Sequence, residues 1–280
     1  MTKIAVIGGG KIGEALISGL VAGGHSPKDI HVANRRPERG KELVETYAIT
    51  DYTDVNQCIE DVDVVFMCVK PKDTLSILAS MSDTLDNNAE DTTVISMAAG
   101  VTLKSLEEVV SAGTPIVRVM PNTPMLVRRG TSVMSPGRFV GEEQLEQIKG
   151  LLGTVGDVFV VDESHMDAVV AMSGSSPAYF FLFVEAMIDA GINLGLPRAV
   201  AKELAVSSLV GSGHLMQESC EEPAVLRANV SSPGGTTIRA IRELEQSGLR
   251  GMVYRATEKC AQRSNELGAV KASAVEDEAE

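Results

Sequence analysis

The chain of 280 residues has no tryptophan, only six phenylalanines and four tyrosines. Its core must therefore come from branched aliphatics and methionine, and 44% of the residues are hydrophobic, enough to build one. Cysteine is scarce. Cys58, Cys68, Cys220 and Cys260 contain no C-x-x-C pair, which points away from a disulfide framework and toward reduced thiols in a cytoplasmic protein. His25, His31, His165 and His214 form no H-E-x-x-H and no Cys/His cluster, so no metal site is expected. Positive charge is also short. Lys and Arg number 25 against 38 Asp and Glu, and the net charge of -13 argues against nucleic acid or an anionic membrane as a partner. The opening MTKIAVIGGG has no charged region ahead of a long apolar run, so it reads as a strand rather than a signal peptide. The most apolar stretch, 177–194, is broken by Glu185 and Asp189 and reads as an enclosed helix, not a bilayer span.

What is present begins with a β-branched run at 3–7, followed by a G-x-G-x-x-G at Gly8, Gly10 and Gly13 and then a helical pattern. Strand before and helix after is the context in which such glycines let a backbone approach a pyrophosphate at a helix N-terminus. Ile7, Lys11 and Ile12 frame that turn. The next strand, 30–33, ends in Asn34-Arg35-Arg36. An NAD site would place an acidic residue at this offset. An amide and two guanidiniums suit a 2′-phosphate instead, which makes NADPH the expected cofactor with NADH possible. Further strands end in Lys70-Pro71, in Ala98-Ala99-Gly100 and in Pro121-Asn122-Thr123-Pro124, all at the edge where an open α/β sheet binds ligands. Strands at 131–134 and 155–161 flank a helix at 142–152. The sequence thus predicts an α/β dinucleotide-binding domain over 1–163 and an all-helical domain over 164–280. The helix at 178–194 is apolar nearly all round, through Phe180, Phe181, Leu182, Phe183, Met187 and Ile188, so a partner subunit is its expected cover.

The stretch 229–237 reads Asn-Val-Ser-Ser-Pro-Gly-Gly-Thr-Thr and opens an amphipathic helix. Gly234 and Gly235 leave backbone N–H groups bare, and Ser232, Thr236 and Thr237 add hydroxyls. That is the composition of a carboxylate cradle at a helix start.

Taken together, VIGGGKIG, NRR, CVKP at 68–71, MAAGV at 97–101, RVMPNTP at 118–124, SGSSPAY at 173–179 and NVSSPGGTTIRAIRELE from Asn229 resemble the pyrroline-5-carboxylate reductase family, in the family's order and over nearly the whole chain. Two positions depart from its usual pattern: Ser176 stands where a glycine is usual, and Glu222 precedes Pro223 where a histidine is common. The resemblance implies a Rossmann domain, an all-helical dimerisation domain, and dimers assembling into a larger ring such as a decamer. It implies hydride transfer from a nicotinamide to the C=N carbon of a cyclic imine carboxylate, giving proline. It also implies that Asn56, Cys68, Val69, Lys70, Pro71, Ala98, Ala99 and Asn122 line the cofactor, and that Glu163, Asn229, Ser232, Gly234, Gly235, Thr236 and Thr237 approach the substrate. Thr237 is the expected hydrogen-bond donor to the ring nitrogen, and hence the candidate catalytic residue.

Two rivals remain at this stage. A 3-hydroxyacid dehydrogenase would need a lysine in a G-x-x-x-x-K-x-x-N pattern, which Lys202, Lys259 and Lys271 do not occupy. A redox sensor without turnover would have no use for an intact substrate loop.

Overall fold

The structure, a computed structural model, describes residues 2–88 and 92–277. By its contacts the chain divides into two units, one running to Ser175 and resuming at Cys260, the other Ser176–Lys259.

The first unit is built on eight strands: β1 Ile4–Ile7, β2 Ile30–Ala33, β3 Thr50–Tyr52, β4 Val64–Met67, β5 Thr93–Ser96, β6 Ile116–Met120, β7 Gly130–Pro136 and β8 Gly156–Val160. Their order is β3-β2-β1-β4-β5-β6-β7-β8, with the first six parallel, β7 antiparallel to β6 and β8 parallel to β7. β1, β4 and β5 are buried at every residue, as strands covered on both faces must be. Alternate residues feed two cores: Ile4 and Val6 face one, Ala5 and Ile7 the other. The covering helices are α1 Lys11–Ala22, α2 Pro37–Tyr47, α3 Val55–Ile59, α4 Pro71–Asn87, α5 Leu103–Glu107, α6 Glu142–Gly153 and α7 Met166–Val169. The strand order reverses between β1 and β4, the place where a doubly wound sheet opens a crevice at its carboxyl edge. Register aligns Ile7 with Ala33 and with Met67, so the residues that follow all three strands emerge together.

Two local features differ from the sequence-based expectation. β3 is a short polar edge strand, Thr-Asp-Tyr, whose identity comes from pairing with His31–Ala33 rather than from any pattern of its own. The all-helical stretch expected from 164 onward begins with only one α-turn, α7, and gives way after Val169 to a π-turn, Val170–Gly174.

The second unit holds α8 Ser176–Asn193, α9 Arg198–Ser219, α10 Pro223–Asn229, α11 Thr236–Gln246 and the first part of α12 Leu249–Asp277. The expected boundary at 163/164 differs from the division by contacts. Met166 and Ala171 are buried within the first unit. Asp167 accepts from Ser264 Oγ at 2.7 Å and from Asn265 Nδ2 at 3.2 Å, and the Cys260 thiol donates to Ser175 Oγ at 3.3 Å. The end of α12 thus returns to the unit that the chain left at Ser175, a pairing across almost a hundred residues that no local pattern announces.

α8 packs on α9 with Gly191 against Ala201; a Cβ on Gly191 would stand 3.0 Å from that of Ala201. Over Ser176–Lys259 only Pro177 and Ala201 are buried. Phe181 is 66% exposed and Leu182 67%, so α8 is not enclosed by its own chain as a core helix would be. The stretch Glu163–Asn193, mean hydropathy 1.3, is long and apolar enough to cross a membrane on length and composition alone.

Candidate functional site

At the carboxyl edge of β1, β2 and β4 lies a cleft of about 720 Å³. Its floor is the turn after β1. Gly8 holds φ +101°, a conformation that an L side chain resists, and its N–H donates to the Ala33 carbonyl at 2.9 Å. Gly13 lets α1 sit on that turn: a Cβ there would be 2.2 Å from the Gly8 carbonyl oxygen. A Cβ on Gly10 would meet nothing within 4 Å, so the glycine leaves an open cradle at the α1 N-terminus. Beyond the turn, Asn34 Oδ1 accepts the Gly9 N–H at 2.8 Å. Its Nδ2 is buried with no hydrogen-bond partner. A buried amide that lacks a partner costs free energy, and its position on the cleft wall shows where an acceptor belongs. Arg35, Arg36 and Lys70 stand around the mouth. Arg35 is 82% exposed and only 3.9 Å from Asp73 Oδ2, a loose pair that an anion can displace.

Arg39 also faces the cleft, although the sequence did not single it out. Hydrogen bonds to Glu42 and Glu14 hold its guanidinium above the ordinary range. Cys68 lies on the opposite wall, with its thiol directed at Met97 Sδ, 3.4 Å away. Burial pushes that thiol up to about 12 from its ordinary 9.0, so it stays protonated at neutral pH and is no nucleophile.

In the second unit, the stretch 229–237 joins α10 to α11. Asn229 ends α10, Gly234 holds φ +71°, and Gly235 is the N-cap of α11. The Gly235 N–H donates to the Ser232 carbonyl at 3.0 Å and so closes the turn. It is therefore committed, in contrast to the expectation that it would face an anion; the first-turn N–H groups from Thr236 onward remain without intrahelical acceptors. The two flanking helices are tied by Arg227 and Glu245 at 3.6 Å. Arg250 grips the same carboxylate at 3.0 Å and holds it below the usual carboxylate range.

Residues 163–267 match the family model described as pyrroline-5-carboxylate reductase dimerisation, and residues 3–100 match one described as NADP oxidoreductase, coenzyme F420-dependent. A pyrroline-5-carboxylate reductase of Corynebacterium melassecola is 59% identical over 96% of this chain and 99% of its own. This chain belongs to the pyrroline-5-carboxylate reductase family. Among solved structures, the pyrroline-5-carboxylate reductase of Coxiella burnetii superposes with a TM-score of 0.91 at 33% identity, over 95% of this chain and 98% of the other. The Plasmodium falciparum pyrroline carboxylate reductase with NADP bound gives 0.84 at 27% identity, over 95% and 98%.

Members of the pyrroline-5-carboxylate reductase family use a nicotinamide dinucleotide, and the residues present fit one: an open glycine cradle for a pyrophosphate, an orphaned buried amide, and cations at the mouth. Of the cofactor residues expected from the sequence, Ile7, Gly8, Gly10, Lys11, Asn34, Arg35, Arg36, Cys68, Val69 and Lys70 line the cleft. Ile12 and Gly13 lie behind it on α1, and Pro71 begins α4 just beyond Lys70. Ala98 and Ala99 follow β5, the first buried and the second exposed. Two amides have tertiary partners. Asn56 Oδ1 accepts from Thr84 Oγ1 at 2.7 Å. Asn122 bridges backbone, donating to the Ser173 carbonyl at 3.1 Å and accepting the Thr131 N–H at 2.8 Å. Glu163 Oε1 likewise accepts the Leu103 N–H at 2.7 Å and Arg118 Nη1 at 2.9 Å. It anchors the start of α5 to β6, where its charge also meets a helix N-terminus.

Proposed function

We infer that this chain is an NAD(P)H-dependent oxidoreductase that reduces the C=N bond of 1-pyrroline-5-carboxylate to L-proline, the last step of proline biosynthesis. What carries the reading is the 59% identity to a pyrroline-5-carboxylate reductase over 96% of the chain, which takes in both the glycine cradle and the stretch 229–237. The bound reduced nicotinamide supplies the hydride. The protein's own task is positioning and charge. In our reading the α1 N-terminus holds the pyrophosphate, and Asn34, Arg35 and Arg36 hold a 2′-phosphate, which favours NADPH over NADH. Asn229, Ser232, Gly234, Thr236 and Thr237 receive the substrate carboxylate and ring, with Thr237 Oγ1 donating to the ring nitrogen. The net charge of -13 makes a local positive potential at the α11 N-terminus necessary for an anionic substrate. Glu163 has a smaller part here than the resemblance implied, because Leu103 and Arg118 hold one of its oxygens.

The test is NADPH oxidation followed spectrophotometrically with the cyclic imine beside a panel of hydroxy and keto acids. Turnover of the imine alone is expected; turnover of the acids alone would overturn the reading.

Oligomerisation is a property of the family, whose dimerisation model spans 163–267 and with it α8. We assign the exposed apolar face of α8 to a subunit interface rather than to a membrane, and we propose that dimers close into a ring such as a decamer in the cytoplasm. Light scattering of the purified chain tests the ring, and a detergent-free soluble fraction tests the absence of a span.

A further inference from the structure

Three arginines face the dinucleotide cleft, and they are not equivalent. Arg35 and Arg36 are exposed and carry charge available to a ligand. Arg39 is tied at every guanidinium nitrogen: Nε donates to the Gly9 carbonyl at 2.8 Å, Nη1 to Glu42 Oε2 at 2.9 Å, and Nη2 to Glu14 Oε2. With two carboxylates against it, Arg39 has little attraction left for a phosphate. What it does hold is a peptide. Gly9 is gripped at both backbone polar groups, its carbonyl by Arg39 and its N–H by Asn34 Oδ1 at 2.8 Å. The contact between turn and helix is close, since a Cβ on Gly9 would stand 2.4 Å from Leu43 Cδ1 and 2.8 Å from Asn34 Oδ1. The peptide joining Gly9 to Gly10 is trans and planar, so its N–H points opposite to its carbonyl. Fixing the carbonyl on Arg39 therefore also fixes the direction of the Gly10 N–H, and Gly10 is the N-cap of α1, where a Cβ would meet nothing within 4 Å and the cradle lies open.

We propose that Arg39 is a positioning residue for dinucleotide binding: by holding the Gly9 carbonyl on α2 it presets the Gly10 N–H and the first turn of α1 for the cofactor pyrophosphate. This rests on the cofactor reading above and deepens it. The pyrophosphate is common to NADPH and NADH, so Arg39 serves both cofactors equally, whereas Arg35 and Arg36 distinguish them. Asn34 joins the two functions, because its oxygen fixes Gly9 while the residue itself lines the cleft and its buried nitrogen has no partner.

The experiment is calorimetric titration of the full-length protein with NADPH, NADH and adenosine 2′-monophosphate, the last carrying the 2′-phosphate without a pyrophosphate. R39K keeps a cation between Glu14 and Glu42, but one ammonium cannot reproduce the fork that reaches the carbonyl and both carboxylates. R39K is expected to weaken NADPH and NADH by the same factor, about tenfold, with adenosine 2′-monophosphate unchanged. R35A is expected to weaken NADPH and adenosine 2′-monophosphate but not NADH. R39K binding both dinucleotides like the unmodified protein would show that charge balance alone is at work. An R39K loss confined to NADPH would make Arg39 a direct 2′-phosphate ligand. Either result overturns the proposal. Failure of the unmodified protein to bind either dinucleotide overturns the cofactor reading itself, a separate outcome. R39Q, checked for folding by circular dichroism, adds the loss of charge and is expected to weaken both dinucleotides further than R39K does.

Discussion

The two units of this molecule are opposites in how they finish themselves. The first encloses its central strands on both faces, fills two cores, and presents a cleft at their carboxyl edge. The second buries Pro177 and Ala201 and leaves Phe180, Phe181, Leu182 and Met187 in the open. A chain that exposes this much contiguous apolar surface on helices has placed part of its core outside itself. The cofactor half is thus expected to be a folding unit in its own right, and the helical half to be complete only in the oligomer.

That contrast can be broken by substitution. Phe181→Asp puts a carboxylate on the face assigned to the subunit interface, where burial without a partner costs several kcal/mol. Loss of the assembly in light scattering is expected. An unchanged oligomer carrying this variant would mean that α8 is not the interface. Gly235→Val comes next in size. A Cβ at Gly235 already stands 3.1 Å from the Ser232 carbonyl oxygen, and the branched side chain would crowd the turn proposed to receive the substrate. Turnover should fall by at least about 100-fold, a loss equivalent to about 2.7 kcal/mol, while the affinity for NADPH stays within about twofold by fluorescence titration. Loss of both together would show that the two halves are not separable in function. Within the first unit, Arg35→Ala should raise the KM for NADPH by roughly tenfold or more, the equivalent of about 1.5–3 kcal/mol for one charged contact, and leave the KM for NADH nearly unchanged. The smallest kinetic effect belongs to Thr237→Ala. One neutral hydrogen bond, worth about 0.5–1.5 kcal/mol, should cost roughly two- to tenfold in kcat/KM with the imine. A last measurement sharpens the contrast through pH. Burial pushes Cys58 and Cys68 each up to about 12, and Asp51 adds to the shift at Cys58. Both folded-state values lie above the ordinary 9.0, so the protection given by these thiols is complete below pH 9 and is lost as the pH rises toward 12. At pH 8 iodoacetamide should therefore label exposed Cys220 well before Cys58 or Cys68, as mass spectrometry of the intact protein would show.

Much of this was legible in the chain because it is local. The G-x-G-x-x-G, the Asn-Arg-Arg after β2 and the Ser-Ser-Pro-Gly-Gly-Thr-Thr turn each place their chemistry within a few residues of one element end. The missing pieces are those set by distance along the chain. Thr50–Tyr52 is a strand only because β2 offers it an edge. Arg39 reads as one more solvated charge on α2 until the fold brings Gly9 and Glu14 against it. The amides of Asn56 and Asn122 look free for a ligand in the sequence, and tertiary partners take the oxygen of the first and both ends of the second.

The sequence by itself determined the kinds of element, the position of the glycine cradle and the helix-start chemistry of the second unit. These follow from backbone sterics, apolar periodicity and the unpaired N–H groups of a helix's first turn, all of which act over a few residues. Only the tertiary structure decided which polar groups are spent and which remain available. Glu163 is drawn to Leu103 and Arg118 across 60 and 45 residues, Arg39 to Gly9 across 30, while Asn34 Nδ2 is left buried without a partner. A hydrogen-bonding group in a sequence has no partner until folding removes water from it. Which partner replaces that water depends on what the sheet edge brings within about 3 Å.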